Sequence, residues 1–169
     1  MTKASTWTIR PLRDSDSLEE LTVLLNRAYK RLADLGLKYV ATWQGVDITG
    51  KRVKEGDCFL AVTSEKILGT IVFHDQVFTS GCEWYDRPEV CSFHQFAVDP
   101  DYQSLGIGAA LMDKVEEWGR DARAKEMALD TAEHAHHLID YYKKRQYRHV
   151  GFADWKETNY RSVILSLKL

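Results

Sequence analysis

Residues Phe93 to Ala109, FHQFAVDPDYQSLGIGA, constrain the fold more than any other stretch of the chain. An apolar run ending at Val98 has the composition of a strand, and Asp99-Pro100-Asp101 breaks it. Gln103-Ser104-Leu105-Gly106-Ile107-Gly108 then opens a helix that continues through Ala109, Ala110, Leu111 and Met112. A strand, a short turn and a glycine-bearing helix start form an anion-binding device. The first helical N–H groups have no partner within the helix, and the helix dipole adds positive charge there. Glycine at 106 and 108 lets a ligand approach the backbone without meeting a Cβ. The stretch therefore points to a phosphate-bearing cofactor. Two glycines alone are weak evidence, since a helix start packed on a sheet leaves the same pattern. A Rossmann fingerprint lacks its third glycine here, and no Gly-Lys-Ser/Thr follows to make a Walker loop.

A length of 169 residues fits one domain spanning 1–169, able to bury roughly 70% of its unfolded surface. A net charge of −2 without a long run of one sign gives no reason to expect nucleic acid or a membrane surface as partner. The opening residues MTKASTWTIRPLR lack the apolar core of a secretion signal, and no apolar stretch approaches ~18 residues. Three cysteines, Cys58, Cys82 and Cys91, are an odd number without metal-ligand spacing. They suit reduced thiols in a cytoplasm, with Cys58 and Cys91 as small core residues.

Trp7 to Leu12 alternates as a short strand. Asp14 to Ser17 offers N-caps to a helix whose apolar positions Leu21, Leu24, Leu25, Ala28, Tyr29 and Leu32 recur at helical spacing, with Gly36 as its stop. Leu37 to Glu55 is ambiguous, with a short helix near Val46 to Lys54. Phe59–Val62 and Lys66–Val77 read as a hairpin, Phe78–Glu89 as a loop and Val90–Val98 as the next strand. The helix after it, from about Leu105 to Ala124, places Leu111, Val115, Trp118 and Ala122 on one buried stripe. Met127–Thr131 is a strand reached by a parallel crossover, Ala135–Arg145 a helix, and Tyr147–Trp155 with Ser162–Leu167 an antiparallel pair. The closing strands leave a homodimer open as an alternative.

This order, with the glycine motif after the fourth strand, resembles the GNAT superfamily of acetyl-CoA-dependent N-acetyltransferases. The family's Gln/Arg-x-x-Gly-x-Gly/Ala signature is matched by Gln103, Gly106 and Gly108, and the preceding segment by Phe96-Ala97-Val98-Asp99-Pro100. A second block, Tyr141-Tyr142-Lys143-Lys144-Arg145-Gln146-Tyr147, is similar to the family's Leu-Tyr-Glu-Lys-x-Gly-Phe and puts Tyr142 on the family's tyrosine. Gln146 replaces the usual glycine, and Ala135 stands where many members have asparagine. The resemblance implies an α/β (α+β) fold with a mixed sheet of about seven strands and about four helices, splayed between strands 4 and 5. It implies acetyl-CoA as co-substrate and no metal. The pantetheine arm would pair with backbone groups of Phe96, Ala97 and Val98, and the pyrophosphate would meet Gln103, Ser104, Leu105, Gly106, Ile107, Gly108 and Ala109. A backbone N–H near Val98 would face the acetyl oxygen, where charge grows in the transition state.

The amine that attacks must be neutral, and at pH 7 most of a lysine-like amine is protonated. Three residues qualify as its base. Asp130 lies on the strand face opposite Leu129 and Thr131, where several protein-directed family members have an acidic base; a strand-end anchor is the simpler reading. His94 shares a strand face with Phe96 and Val98 and titrates near neutrality, although a core histidine is commoner. Glu133 follows the strand end, where an exposed helix-start carboxylate is expected. For the leaving thiolate, Tyr142 is the acid, with Tyr141 as its substitute if the alignment shifts by one. His134, His136 and His137 fit no zinc spacing. Trp43, Trp84, Tyr85, Trp155 and Tyr160 fall in regions that shape the acceptor pocket in this fold. Glu83, Asp86 and Glu89 would favour a cationic acceptor. The expected reaction is direct transfer to a primary amine of a small molecule. A protein N-terminus or lysine is the alternative acceptor, and a catalytically silent acyl-CoA-binding module is the alternative of another class.

Overall fold

The computed structural model describes residues 6–169. The first five residues, included in the reading of the N-terminus above, lie outside the described residues. Strands are β1 (Thr8–Pro11), β2 (Asp57–Val62), β3 (Ile67–His74), β4 (Val90–Val98), β5 (Glu126–Ala132), β6 (Arg148–Asp154) and β7 (Arg161–Lys168). Helices are α1 (Leu18–Asp34), α2 (Val46–Val53), α3 (Ile107–Asp121) and α4 (His136–Lys144), with single 3-10 turns at Val40–Thr42 and Pro100–Tyr102. The strands form one sheet in the order β1-β2-β3-β4-β5-β7-β6. Among the described residues only β4 and β5 run parallel, joined by the α3 crossover. The closing strands pair with each other, and β7 also inserts beside β5, so β6 is the edge.

Local signals account for most boundaries. Ser17 caps α1 by accepting from the Glu20 amide at 3.1 Å. Its far end closes on Gly36 at φ +79°, with the Leu37 amide donating back to the Leu32 carbonyl. The α1 stripe Leu21, Leu24 and Leu25 packs with Leu60, Val72 and Ala97 on one face of the sheet. On the other face Leu111, Met112 and Val115 of α3 and Tyr142 of α4 pack over Phe59, Ile71, Phe73, Phe93 and Leu129. Cys58 and Cys91 are buried and make no disulfide. Burial raises their thiol pKa to about 11 and about 12, which keeps them unreactive.

Several boundaries differ from the pattern reading by two or three residues, and two of them have a clear local cause. The helix α3 starts at Ile107, because Gly106 is its N-cap at φ +80° and the preceding Ser104 is also left-handed at φ +67°. The strand β3 ends at His74, since the Asp75 carboxylate turns the chain by accepting from the Val77 and Phe78 amides.

A third difference bears on the site. Alternation along β4 predicts His94 on the face of Phe96 and Val98, but the strand carries a bulge. Gln95 sits at φ +50°, and the register against β3 shifts between Thr70 and Val72. The bulge inserts one residue and reverses the alternation. Phe93 and Phe96 now meet edge to face at 6.1 Å on the α3 side. His94 turns to the opposite face, 2.9 Å from the Ser92 hydroxyl and with its ring tilted against that of His74 at 4.3 Å.

Gly56, just before β2, shows how tightly β2 and β3 approach. A Cβ there would overlap the Phe73 carbonyl oxygen and press on the His74 ring. Alanine restricts the unfolded chain, which favours folding by at most about 1 kcal/mol. The overlap is with backbone and cannot be relieved by a rotamer change. Gly56→Ala is therefore expected to destabilise the protein by about 3 kcal/mol, lowering the melting temperature by roughly 10 °C in a thermal scan.

Candidate active site

Strands β4 and β5 pair only at Val90, Cys91 and Ser92. Beyond Ser92 they diverge, and from Phe93 to Val98 β4 has no partner on its β5 side. Asp99 donates to the Leu68 carbonyl at 2.8 Å, so alternation of the antiparallel ladder turns the backbone groups of Val98 and Phe96 toward this open edge. The Phe96 carbonyl accepts from the Tyr29 hydroxyl at 2.9 Å and keeps a second lone pair. The gap opens into a cleft of about 1010 Å³ that passes through the sheet.

The α3 side of the cleft holds Phe93, Phe96, Val98, Gln103, Ser104, Gly106, Gly108 and Ala109, with Leu138, Tyr141 and Tyr142 of α4 opposite. The first backbone bond of α3 runs from the Ala110 amide to the Gly106 carbonyl at 3.0 Å. The amides of Ile107, Gly108 and Ala109 precede it and are free to bind an anion. Of the residues predicted around this motif, Leu105 projects to solvent and Ile107 into the core, so both present only backbone here. Ala97 lines the cleft while packing toward α1.

The other side is built by α1, α2 and the loops after β3 and β6. It includes Tyr29, Tyr39, Arg52, His74, Tyr85, His94, Gln95, Asp130, Trp155 and Tyr160. Sequence reasoning singled out Tyr85, Trp155, Tyr160, His94 and Asp130. It missed Tyr29 and Arg52, because Tyr29 fits the apolar stripe of α1 and Arg52 lies in the ambiguous segment. Trp43 and Trp84 stand outside the cleft, Trp84 under the Arg87 guanidinium at 4.0 Å. Glu83, Asp86 and Glu89 are also outside it, on the loop before β4. Of the three histidines near α4 only His137 reaches the cleft, and among the described residues no cluster suited to a metal occurs.

The three carboxylate and imidazole candidates are placed very differently. Asp130 faces the cleft on the side opposite Leu129. Its Oδ1 accepts from the Tyr85 hydroxyl at 2.9 Å, and its Oδ2 from Trp155 Nε1 at 2.9 Å and the Ser162 hydroxyl at 3.4 Å. Burial pushes its pKa up, and these three bonds and the Arg52 charge only partly offset it. His94 is half-buried in the cleft wall, and burial followed by the neighbouring His74 holds it well below the usual imidazole range. His74 falls to about 4 from burial and the Arg52 charge. Both rings are neutral at pH 7. Glu133 is bound to Arg161 at 2.7 Å and lies outside the cleft, and that bond holds its carboxyl below the ordinary value. The Tyr142 ring is buried, and its hydroxyl has no hydrogen-bond partner among the described residues. Burial drives its pKa well above 10, so the group stays protonated.

The seven-stranded sheet with one parallel pair opened by a splay, and a glycine-capped helix start beside it, define an acyl-CoA-binding type of fold. A family model described as the acetyltransferase (GNAT) family matches residues 18–147, and the chain belongs to that family of N-acetyltransferases. Over 147 residues, 84% of this chain and 83% of the other, it is 31% identical to the S-(2-succino)cysteine N-acetyltransferase of Bacillus subtilis (strain 168). An N-acetyltransferase from Staphylococcus aureus Mu50 has the same fold with a TM-score of 0.72 at 16% identity, covering 97% of this chain and 99% of that one. A GNAT family acetyltransferase from Elizabethkingia anophelis with acetyl-CoA bound superposes with a TM-score of 0.66 at 16% identity, covering 99% and 100%.

The described residues include no helix long and apolar enough to cross a membrane.

Proposed function

We propose that this N-acetyltransferase carries an acetyl group from acetyl-CoA directly to the primary amine of a small molecule. The observation that carries the reading is the open edge of β4, which leads from Phe93 along Val98 to the unpartnered amides of Ile107–Ala109. These groups fit the cofactor. Pantetheine amides match the backbone groups of Phe96 and Val98, and the pyrophosphate matches a helix start whose Gly106 and Gly108 carry no side chain. Acetyl-CoA supplies an activated acetyl thioester and a thiol leaving group.

The chain's own residues handle protons and position. Asp130 is the base, because its raised pKa suits a carboxylate that must take a proton from an ammonium. Tyr85 and Trp155 hold it in place. Tyr142 donates from Oη to the departing sulfur. A buried phenol is a weaker acid than a thiol, so the hydrogen bond to the developing thiolate stabilises more than full proton transfer does. Holding amine and thioester together removes most of the entropic barrier, and no acetylated enzyme residue is needed. The aromatic wall of Tyr29, Tyr39, Tyr85, Trp155 and Tyr160 supports a small acceptor over a protein chain. The similarity to an enzyme named for an amino-acid acceptor supports it too.

Thermal unfolding with acetyl-CoA, coenzyme A, ATP and NAD tests the cofactor half. At about 100 times Kd a specific ligand adds ~2.7 kcal/mol, a rise of roughly 5–10 °C. The rise is expected with acetyl-CoA and coenzyme A and not with ATP or NAD. No rise with acetyl-CoA at saturation overturns the reading.

A further inference from the structure

The guanidinium of Arg52 is a partly buried cation in the acceptor half of the cleft, and among the described residues no carboxylate lies within ion-pair distance of it, although Asp130 and Glu55 are near enough to feel its charge. The ion pairs among the described residues do not include it, even though Glu55 stands one helical turn further on. Among the described residues its single hydrogen-bond partner is the side-chain oxygen Oε1 of Gln44, 2.8 Å from Nη1. Gln44 in turn spends both N–H groups, on the Thr49 hydroxyl at 2.8 Å and on the Gln95 carbonyl oxygen at 3.0 Å.

A second, independent observation concerns Gln95. The bulge buries this side chain beside the cleft, and its Nε2 has no acceptor. The chain Arg52–Gln44–Gln95 is therefore short of acceptors at both ends. Among the described residues, four of the five guanidinium N–H groups and one N–H group of the buried Gln95 amide lack a protein acceptor. A buried unpartnered donor is costly, and a half-buried guanidinium with one protein partner keeps most of its donors open to a ligand. The charge is felt in the cleft, since it depresses the basicity of both His74 and His94.

We propose that Arg52, oriented by Gln44 and through it by Gln95, binds a carboxylate of the acceptor, so that the acceptor is an amino-acid-like amine. The inference rests on the amine-acetylating reading of the same cleft. A carboxylate fits better than a phosphate. The guanidinium fork matches its two coplanar oxygens, and the Asp130 carboxyl in the same half of the cleft works against a doubly charged ligand group.

The test uses S-carboxymethyl-L-cysteine, which has one carboxylate beside its amine and one distal to it. Its two mono-amides, its diamide and the analogue with a distal phosphonate complete the panel. Each is titrated calorimetrically into the wild-type protein saturated with coenzyme A, and turnover is followed by thiol release with acetyl-CoA. At least one carboxylate form is expected to bind roughly 50-fold more tightly than the diamide, and Arg52→Gln to reduce that ratio to within about threefold. Arg52→Lys, which keeps the charge but not the fork, is expected to fall between. Melting temperatures of both variants with and without coenzyme A separate loss of the fork from loss of the fold.

Equal binding of acid and diamide to the wild type overturns the inference. So does an acid preference that survives in Arg52→Gln, or tighter binding of the phosphonate. Absence of binding by every member of the panel overturns it as well, while a retained coenzyme A shift leaves the acetyltransferase reading standing. Arg52-dependent acid binding without thiol release has the opposite meaning: the carboxylate site stands and amine acetylation of these compounds falls.

Discussion

Asp130→Asn is expected to lower kcat/KM for amine acetylation by roughly 10²–10³-fold, the usual worth of a positioned base. The side chain keeps its volume, and an amide oxygen can still accept from Tyr85 or Trp155. Its NH2 group, placed toward Tyr85, turns that hydroxyl from donor to acceptor, and the charge-assisted character of the bonds is lost. A stability loss of about 1–2 kcal/mol is expected alongside the activity loss. The pH profile separates the two effects. Burial raises the Asp130 pKa above its ordinary 3.8. The base form is lost as pH falls through that raised value, so wild-type kcat/KM should drop on the acid side at a pH above the ordinary carboxylate range. This limb should vanish in Asp130→Asn. The sign for stability is the reverse of the usual carboxylate case. A group with a raised folded pKa contributes stability that is full below its unfolded pKa and declines as pH rises through the folded one. Wild type should therefore lose a stability contribution across that window, and Asp130→Asn should not. An acid limb that persists unchanged in the variant would move the base elsewhere, with the neutral His94 next in line.

Tyr142→Phe should separate catalysis from binding more cleanly. The hydroxyl has no protein partner, so its removal leaves no orphaned group and should change the melting temperature by less than about 2 °C. The ring keeps its contacts with Phe93, Tyr141 and Tyr147. The coenzyme A-induced rise in melting temperature should persist while kcat falls by about 10²-fold, because the hydrogen bond forms fully only as charge develops on sulfur. Unchanged turnover would assign that bond to another donor, with Tyr141 first. A wild-type protein that binds coenzyme A but acetylates no amine would favour the silent binding module over the enzyme.

The strands and helices were legible because each has a local cause. The spacing Leu21-Leu24-Leu25 and the Ser17 cap specify α1, and the run Val90–Val98 specifies β4 to the residue. The left-handed position that closes α4 is not read from the pattern: Gln146, at φ +71°, stands where the related motif carries glycine and registers there only as a departure from it. What the sequence hid is what depends on register or on distant partners. Alternation cannot reveal the Gln95 bulge, since HQFAV reads as an unbroken strand, and so His94 was assigned to the wrong face. Arg52 looks like an ordinary solvated residue of a short helix until the sheet places the cleft beside it. Glu83, Asp86 and Glu89 fail for the converse reason. They are close to the site in the chain and outside it in space.

The divergence of β4 from β5 makes the sheet permeable. Tyr142 belongs to the layer on one side and Asp130 to the side chains on the other, and the cleft joins them through the missing ladder. Under the proposed roles, the thioester and the amine arrive by separate doors and meet midway. Neither must vacate the path of the other. The order in which they enter is then set by their affinities rather than by the architecture, and each product can leave by the door its precursor used.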